Sequence, residues 1–381
     1  MKPAFLFSKY VLSHMQGHVR NLFYHPDMLY IFPLGYESPP YFPYLNNENI
    51  YFYEDSESLY SILKEVDVLF LTEFYSLRDY IEKECLKTKE YEKDFKNLSI
   101  YFIAHGVTGF YSENDFAHIK QMTPFTSWAK HLKDNKNTAI ITCCKFIKKH
   151  LSNAGHKYNE RQVIKLDHIP QFSHNDILYN LPMSENKKKY LKDSTAIFPV
   201  LHDQTNVDII SSIAKKLVGT TKNVIIKLKP KTNYIPGTLH FSRIKSFRSA
   251  LKQSLKDIDG INAVITSDSN NVQYFHCDKV ITINGGTSFF ESLTYNNKTF
   301  NIEFDCCREY QKIPFNSNKL LICKDIDDFD QKLKSIKNQN YFDSDYKSEK
   351  EDLFSTQIGS IIKESNSDQW VNLINQLISQ K

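Results

Sequence analysis

The chain has 381 residues, 41% hydrophobic and 24% charged, which exceeds the usual size of one core and excludes a largely disordered polymer. Its 48 basic and 44 acidic residues are closely mixed and leave a formal net charge of +4, so no global field points to nucleic acid and any anion binding is local. No run approaches 18 apolar residues, and no basic start leads into a long apolar stretch with a small-residue cleavage site, so the expectation is a protein neither exported by that route nor membrane-spanning.

The first predicted strand is Ala4–Phe7, followed by the loop Ser13–Arg20 with His18 and Arg20. In two-domain nucleotide-dependent transferases such an opening loop faces the acceptor, which makes His18 a second base candidate and Arg20 an anion contact. Strands are then expected at Leu29–Phe32, Ile50–Tyr53, Val66–Leu71, Ser99–Ala104 and Thr138–Thr142, with helices at Ser56–Glu65, Leu77–Lys87, Pro124–Lys133 and Phe146–Ala154. Short apolar runs alternating with helical stretches predict parallel sheets covered by helices. After the Ser99–Ala104 strand comes His105-Gly106, an imidazole at a strand's carboxyl end, where a general base would face a cleft. A loop histidine bonded to its own turn is the plain alternative.

Seven cysteines, at 85, 143, 144, 277, 306, 307 and 323, show no C-x-x-C spacing and read as reduced, mostly buried thiols of a cytoplasmic protein. The lysine-rich segment Ser184–Asp193 separates two series. Its Lys187, Lys188, Lys189 and Lys192 leave peripheral contact with an anionic inner leaflet open, although such a run is more often a solvated helix face. The second series runs through Ala196–Val200, Asn223–Leu228, Ala263–Thr266, Lys279–Ile283, Thr299–Glu303 and Leu320–Cys323, and a closing helix covers Gln369–Ile378. The expected domains are residues 1–184, residues 185–365 and a C-terminal helix at 366–381. Two doubly wound units make the cleft between them the expected binding site.

Asn223–Leu228 ends abruptly in Lys227, Lys229 and Pro230. Alternation puts both lysines on one face, where they fit either pyrophosphate neutralisation or a solubilising strand end. Asp278–Lys298 reads as strand, glycine turn and helix start in one run: Val280–Ile283, then Gly285-Gly286, then Thr287, Ser288 and Glu291. Free N–H groups at a helix N-terminus attract phosphate, and the same Ser288-x-x-Glu291 spacing is also a capping box. No Asp-x-Asp pair sits at a strand end, so no metal or other cofactor is called for.

In their order, His105-Gly106, Ala139–Gly155, the loop Ile169–Leu178, Phe198–Asp203, Lys227-Leu228-Lys229-Pro230 and Asp278–Ser288 resemble the CDP-glycerol glycerophosphotransferase family, the teichoic-acid and capsule polymer transferases of GT-B architecture. The resemblance covers roughly residues 98 to 310. It implies an α/β fold of two Rossmann-like domains, a nucleotide-diphosphate donor and a glycan or lipid-linked glycan acceptor. His105 would be the base, Gly106 and Arg20 would lie on the acceptor side, and Lys227, Lys229, Gly285, Gly286, Thr287 and Ser288 would hold the diphosphate. Glu291 resembles the carboxylate that holds the donor ribose in many GT-B enzymes. Two positions depart from the family: Lys229 replaces a histidine and Asn284 an aspartate. They leave open a CDP-linked polyol or a nucleotide-linked sugar as donor, a 2-epimerase-like enzyme, and a catalytically silent binding partner in capsule assembly.

Overall fold

A computed structural model of the chain describes residues 2–7, 25, 27–34, 49–71, 97–103, 137–142, 162–165, 178–199, 204–228, 239–268, 271–284, 287–304, 317–336, 341–357 and 367–380. The chain divides into two compact units, Met1–His174 with Gln357–Lys381, and Asn175–Thr356. The first boundary falls ten residues before the expected one. The C-terminal segment is part of the first unit rather than a separate closure.

The first unit is built on a fully parallel sheet of β1 (Pro3–Leu6), β2 (Leu29–Pro33), β3 (Ile50–Tyr53), β4 (Val68–Leu71), β5 (Ser99–Ile103), β6 (Thr138–Thr142) and β7 (Val163–Lys165), in the order β3-β2-β1-β4-β5-β6-β7. Helix α1 (Ser56–Leu63) starts at a capping box in which Asp55 accepts from the Ser58 amide at 2.8 Å. Every residue of β1 and β4 is buried, which explains why both read as unbroken apolar runs rather than alternating ones. Strand β7 was not expected; three residues are too few for a periodic signal. The predicted helices Leu77–Lys87, Pro124–Lys133 and Phe146–Ala154 lie outside the described residues. The C-terminal helix, Ser367–Ser379, buries Ile374, Leu377 and Ile378 in one cluster with Phe5, Phe7, Tyr30 and Phe70. Chain ends far apart in sequence thus share one core.

The second unit opens with α2 (Glu185–Lys192), capped by Ser184, and continues with β8 (Ser194–Pro199), α3 (Gln204–Leu217), β9 (Asn223–Lys227), α4 (Leu239–Lys256) and β10 (Asn262–Thr266). After a 3-10 turn at Val272–His276 come β11 (Lys279–Ile283), α5 (Thr287–Tyr295), β12 (Thr299–Ile302), β13 (Ile322–Cys323), α6 (Ile326–Ser335) and α7 (Ser344–Gln357). We number the C-terminal helix α8. All pairings are parallel, in the order β10-β9-β8-β11-β12-β13.

Both sheets therefore repeat the Rossmann order, in which three strands run outward one way and the rest the other. In the second unit the reversal lies between β8 and β11. One face carries Ile226, Leu228, Ile281, Ile283, Phe300 and Ile302 in a core with α3, α4 and α6. The other packs Ala196, Phe198, Ile225 and Val280 against α2, the 3-10 turn and Tyr295 of α5. Among the described residues no helix is long and apolar enough to cross a membrane.

Candidate functional site

Ligands of open parallel sheets sit beyond the carboxyl ends of the strands, where the strand order reverses, because loops leaving on opposite faces open a crevice there. In the second unit that place follows β8 and β11. Strand β11 ends at Asn284, which is buried and holds φ 65°, the left-handed region. Asparagine is one of the few non-glycine residues that adopts it routinely. Its amide donates to the Ile302 carbonyl at 2.8 Å, and its side-chain Oδ1 accepts from the Phe304 amide at 3.0 Å. Asn284 thus turns the chain out of the sheet and pins the end of β12.

Helix α5 then begins at Thr287. Ser288 accordingly stands inside the first turn and not at the cap, and Glu291 lies one turn in, buried. This corrects the capping-box alternative, whose Ser288 would have to precede the helix. Gly285 and Gly286 lie outside the described residues, as do His18, Arg20, His105, Gly106 and Lys229. The Thr287 side chain does too.

Lys227 ends β9, one strand outward from β8. It is 3% exposed, its Nζ donates to the Leu228 carbonyl at 2.6 Å, and among the described residues it forms no ion pair. Burial pulls its ammonium down from 10.5 to about 8, while the charge of Asp268 pulls the other way. The solubilising alternative fails for this residue, since a solubilising lysine is exposed. Among the described residues the Lys227 ammonium makes one hydrogen bond for three donors.

Beyond β10, Asp268 accepts hydrogen bonds from Thr266 Oγ1 at 2.7 Å, from Gln273 Nε2 at 3.2 Å and from the Tyr274 hydroxyl. Burial alone would raise its pKa, yet the Tyr274 and Thr266 hydroxyls, with the charges of Lys227 and Lys187, hold it below the ordinary carboxylate range. Burial, and then the bond to Asp268, push the Tyr274 phenol up. Lys187 Nζ reaches Gln273 Oε1 at 2.6 Å, so one lysine of the basic α2 run joins this network. Sequence reasoning passed over Asp268 and Tyr274, because neither belongs to a local motif. Cys277 and Cys323 are free and buried, and burial pushes both thiols up.

No family model and no curated protein matches the chain. Solved structures do. A Listeria monocytogenes protein assigned as a UDP-N-acetylglucosamine 2-epimerase superposes with a TM-score of 0.61 at 10% identity, covering 100% of this chain and 97% of that one. HepE from Anabaena, in complex with UDP and glucose, gives 0.57 at 8% identity over the full length of both chains. The wall teichoic acid polymerase TagF, soaked with CDPG, gives 0.52 at 14% identity over 99% of this chain and 89% of its own. The chain has the GT-B fold. At these identities the GT-B likeness concerns architecture, and the chemistry has to be argued from residues.

Proposed function

We propose that the protein is a transferase that moves a sugar or a glycerol-phosphate-like group from a CDP-, CMP- or UDP-activated donor to a glycan hydroxyl. The polymer would be a cell-surface polysaccharide or teichoic-acid-like chain, assembled at the cytoplasmic face of the membrane. The observation that carries this reading is Lys227, a buried cation that forms no ion pair among the described residues, at the carboxyl end of β9, one strand from the reversal point of the second Rossmann sheet.

In this reading Lys227 and Lys229 neutralise the diphosphate, and Gly285, Gly286, Thr287 and Ser288 meet it at the start of α5. Charge growing on the departing nucleotide is stabilised by these groups as the bond breaks. Glu291 takes the ribose. His105 accepts the proton of the acceptor hydroxyl, with His18 as the second candidate, while Gly106 and Arg20 border the acceptor.

Incubation with UDP-sugars, CMP-sugars and CDP-glycerol, together with glycan acceptors, tests the proposal. Release of one nucleotide that depends on the acceptor is expected, and His105→Ala should slow it about a hundredfold, the usual contribution of a positioned base. If His105→Ala turns over as fast as the native protein, the assignment of the base is wrong. The likeness to the Listeria protein favours a second reading, an epimerase-like enzyme acting on a UDP-sugar. That enzyme would yield a sugar epimer without acceptor, so product analysis separates the two.

A further inference from the structure

Polar side chains are out of place inside a parallel sheet covered on both faces, because each must recover the hydrogen bonds it loses to water. Thr282 on β11 and Asn301 on β12 are both 0% exposed and stand opposite each other in register. Thr282 Oγ1 donates to Asn301 Oδ1 at 2.9 Å, sharing its proton with the Phe300 carbonyl at 3.2 Å. That contact fixes the amide so that Asn301 Nδ2 donates along the strand to Glu303 Oε1 at 3.1 Å. Valine and leucine would fill the same positions without desolvating anything. What the polar pair adds is a defined direction for the Glu303 carboxylate.

Glu303 is half-buried at the carboxyl end of β12. Its neighbours Ile302 and Phe304 both hydrogen-bond Asn284, and its own amide donates to the Cys323 carbonyl at 2.8 Å. Glu303 is therefore held one strand spacing, about 5 Å, from the turn that leads into α5. It alternates with Phe300 and Ile302, which face α3, α4 and α6, so it lies on the α5 side, as does Lys227 two residues after Ile225. Lys227 is one strand outward from the reversal point on one side and Glu303 one strand outward on the other. Three strand spacings, about 14 Å, separate the two strands. The cation suits a diphosphate, whereas a carboxylate repels phosphate and accepts hydrogen bonds from hydroxyl groups.

We infer that Glu303, oriented by Asn301 and Thr282, receives a vicinal diol of the nucleotide donor and so selects which donor is used. This rests on the donor site proposed above. Glu303 is then a binding residue, and Asn301 and Thr282 are positioning residues. Because Glu291 takes the ribose in that reading, the diol assigned to Glu303 is the one on the transferred sugar or polyol.

The test is calorimetric titration of the native protein and Glu303→Gln with UDP, 2′-deoxy-UDP, UDP-glucose, CDP and CDP-glycerol. If the transferred group carries the diol, Glu303→Gln keeps its affinity for UDP and CDP and loses about tenfold or more for UDP-glucose or CDP-glycerol, the scale of a hydrogen bond to a charged group. If affinities for UDP and UDP-glucose fall together in Glu303→Gln, and 2′-deoxy-UDP binds the native protein as weakly as UDP binds the variant, Glu303 holds the ribose and its assignment to the transferred group is overturned. Thr282→Val should reproduce part of the loss and Thr282→Ser restore it; a merely structural Thr282 would move the urea midpoint and leave the affinity ratios alone. Glu303→Gln binding every probe like the native protein overturns this inference and leaves the donor site standing. Native protein that binds none of the nucleotides overturns both.

Discussion

Replacing Lys227 with methionine should make the protein more stable at neutral pH while removing its hold on an anionic donor. Methionine nearly matches the lysine stem in volume, so the change removes the charge without opening a cavity. The buried amine titrates at about 8 instead of 10.5, a gap that corresponds to roughly 3 kcal/mol at 1.36 kcal/mol per pH unit. Because the folded value is the lower one, the unfolded chain binds more protons between the two, and stability rises with pH across that window. Below about pH 8 nearly the full penalty acts on the native protein; above about pH 11 it has vanished.

Against this, Lys227→Met loses the bond from Nζ to the Leu228 carbonyl, worth about 1 kcal/mol. The variant should therefore be about 2 kcal/mol more stable than the native protein at pH 7, about 1 kcal/mol more stable at pH 9, equal to it near pH 10 and about 1 kcal/mol less stable above about pH 11. Urea denaturation of both proteins at pH 7, 8, 9 and 10 reads this difference directly, since other titrating groups cancel between them. Saturating UDP or CDP should stabilise the native protein and leave the variant unmoved. A variant less stable at pH 7, or a difference that does not change with pH, would refute the account of Lys227 as a cation held in reserve.

Asn284→Ala should cost about 2–3 kcal/mol, combining left-handed strain with loss of the bond from the Phe304 amide, whereas Asn284→Gly should lose only the hydrogen bond; urea midpoints distinguish them. Asp278 is raised by burial but held below its ordinary value by hydrogen bonds from Lys279 and Lys298. Its contribution is thus present above the ordinary carboxylate pKa and lost as pH falls through the lowered one. Asp278→Asn should destabilise at pH 7, with the difference from native disappearing in acid titrations. Ile374→Ala empties part of the cluster that α8 shares with β1 and should cost about 3 kcal/mol. Hydrogen exchange should place that loss in the β1–β7 sheet and spare the second unit.

All the described strands but β7 were legible because each is a short local run of apolar residues, as with Val68–Leu71 and Lys279–Ile283. Burial on both faces of a parallel sheet writes itself into sequence as hydrophobic continuity. The end of β11 at Ile283 was legible for a similar reason, since the extent of a strand is a local demand. The role of Asn284 was not. Its side chain answers to Phe304, twenty residues away, and nothing near it announces that partner.

Composition and periodicity alone determined that this chain makes two parallel α/β units, because the energy of a strand or helix face depends on neighbours two to four positions away. Tertiary structure decided the rest: that Lys227 is buried, that Thr282 meets Asn301, that α8 returns to the first sheet. These depend on which strands lie side by side and in which register. Pairing of that kind is a property of the assembled sheet, and shifting it by one residue would send each of these side chains to the opposite face.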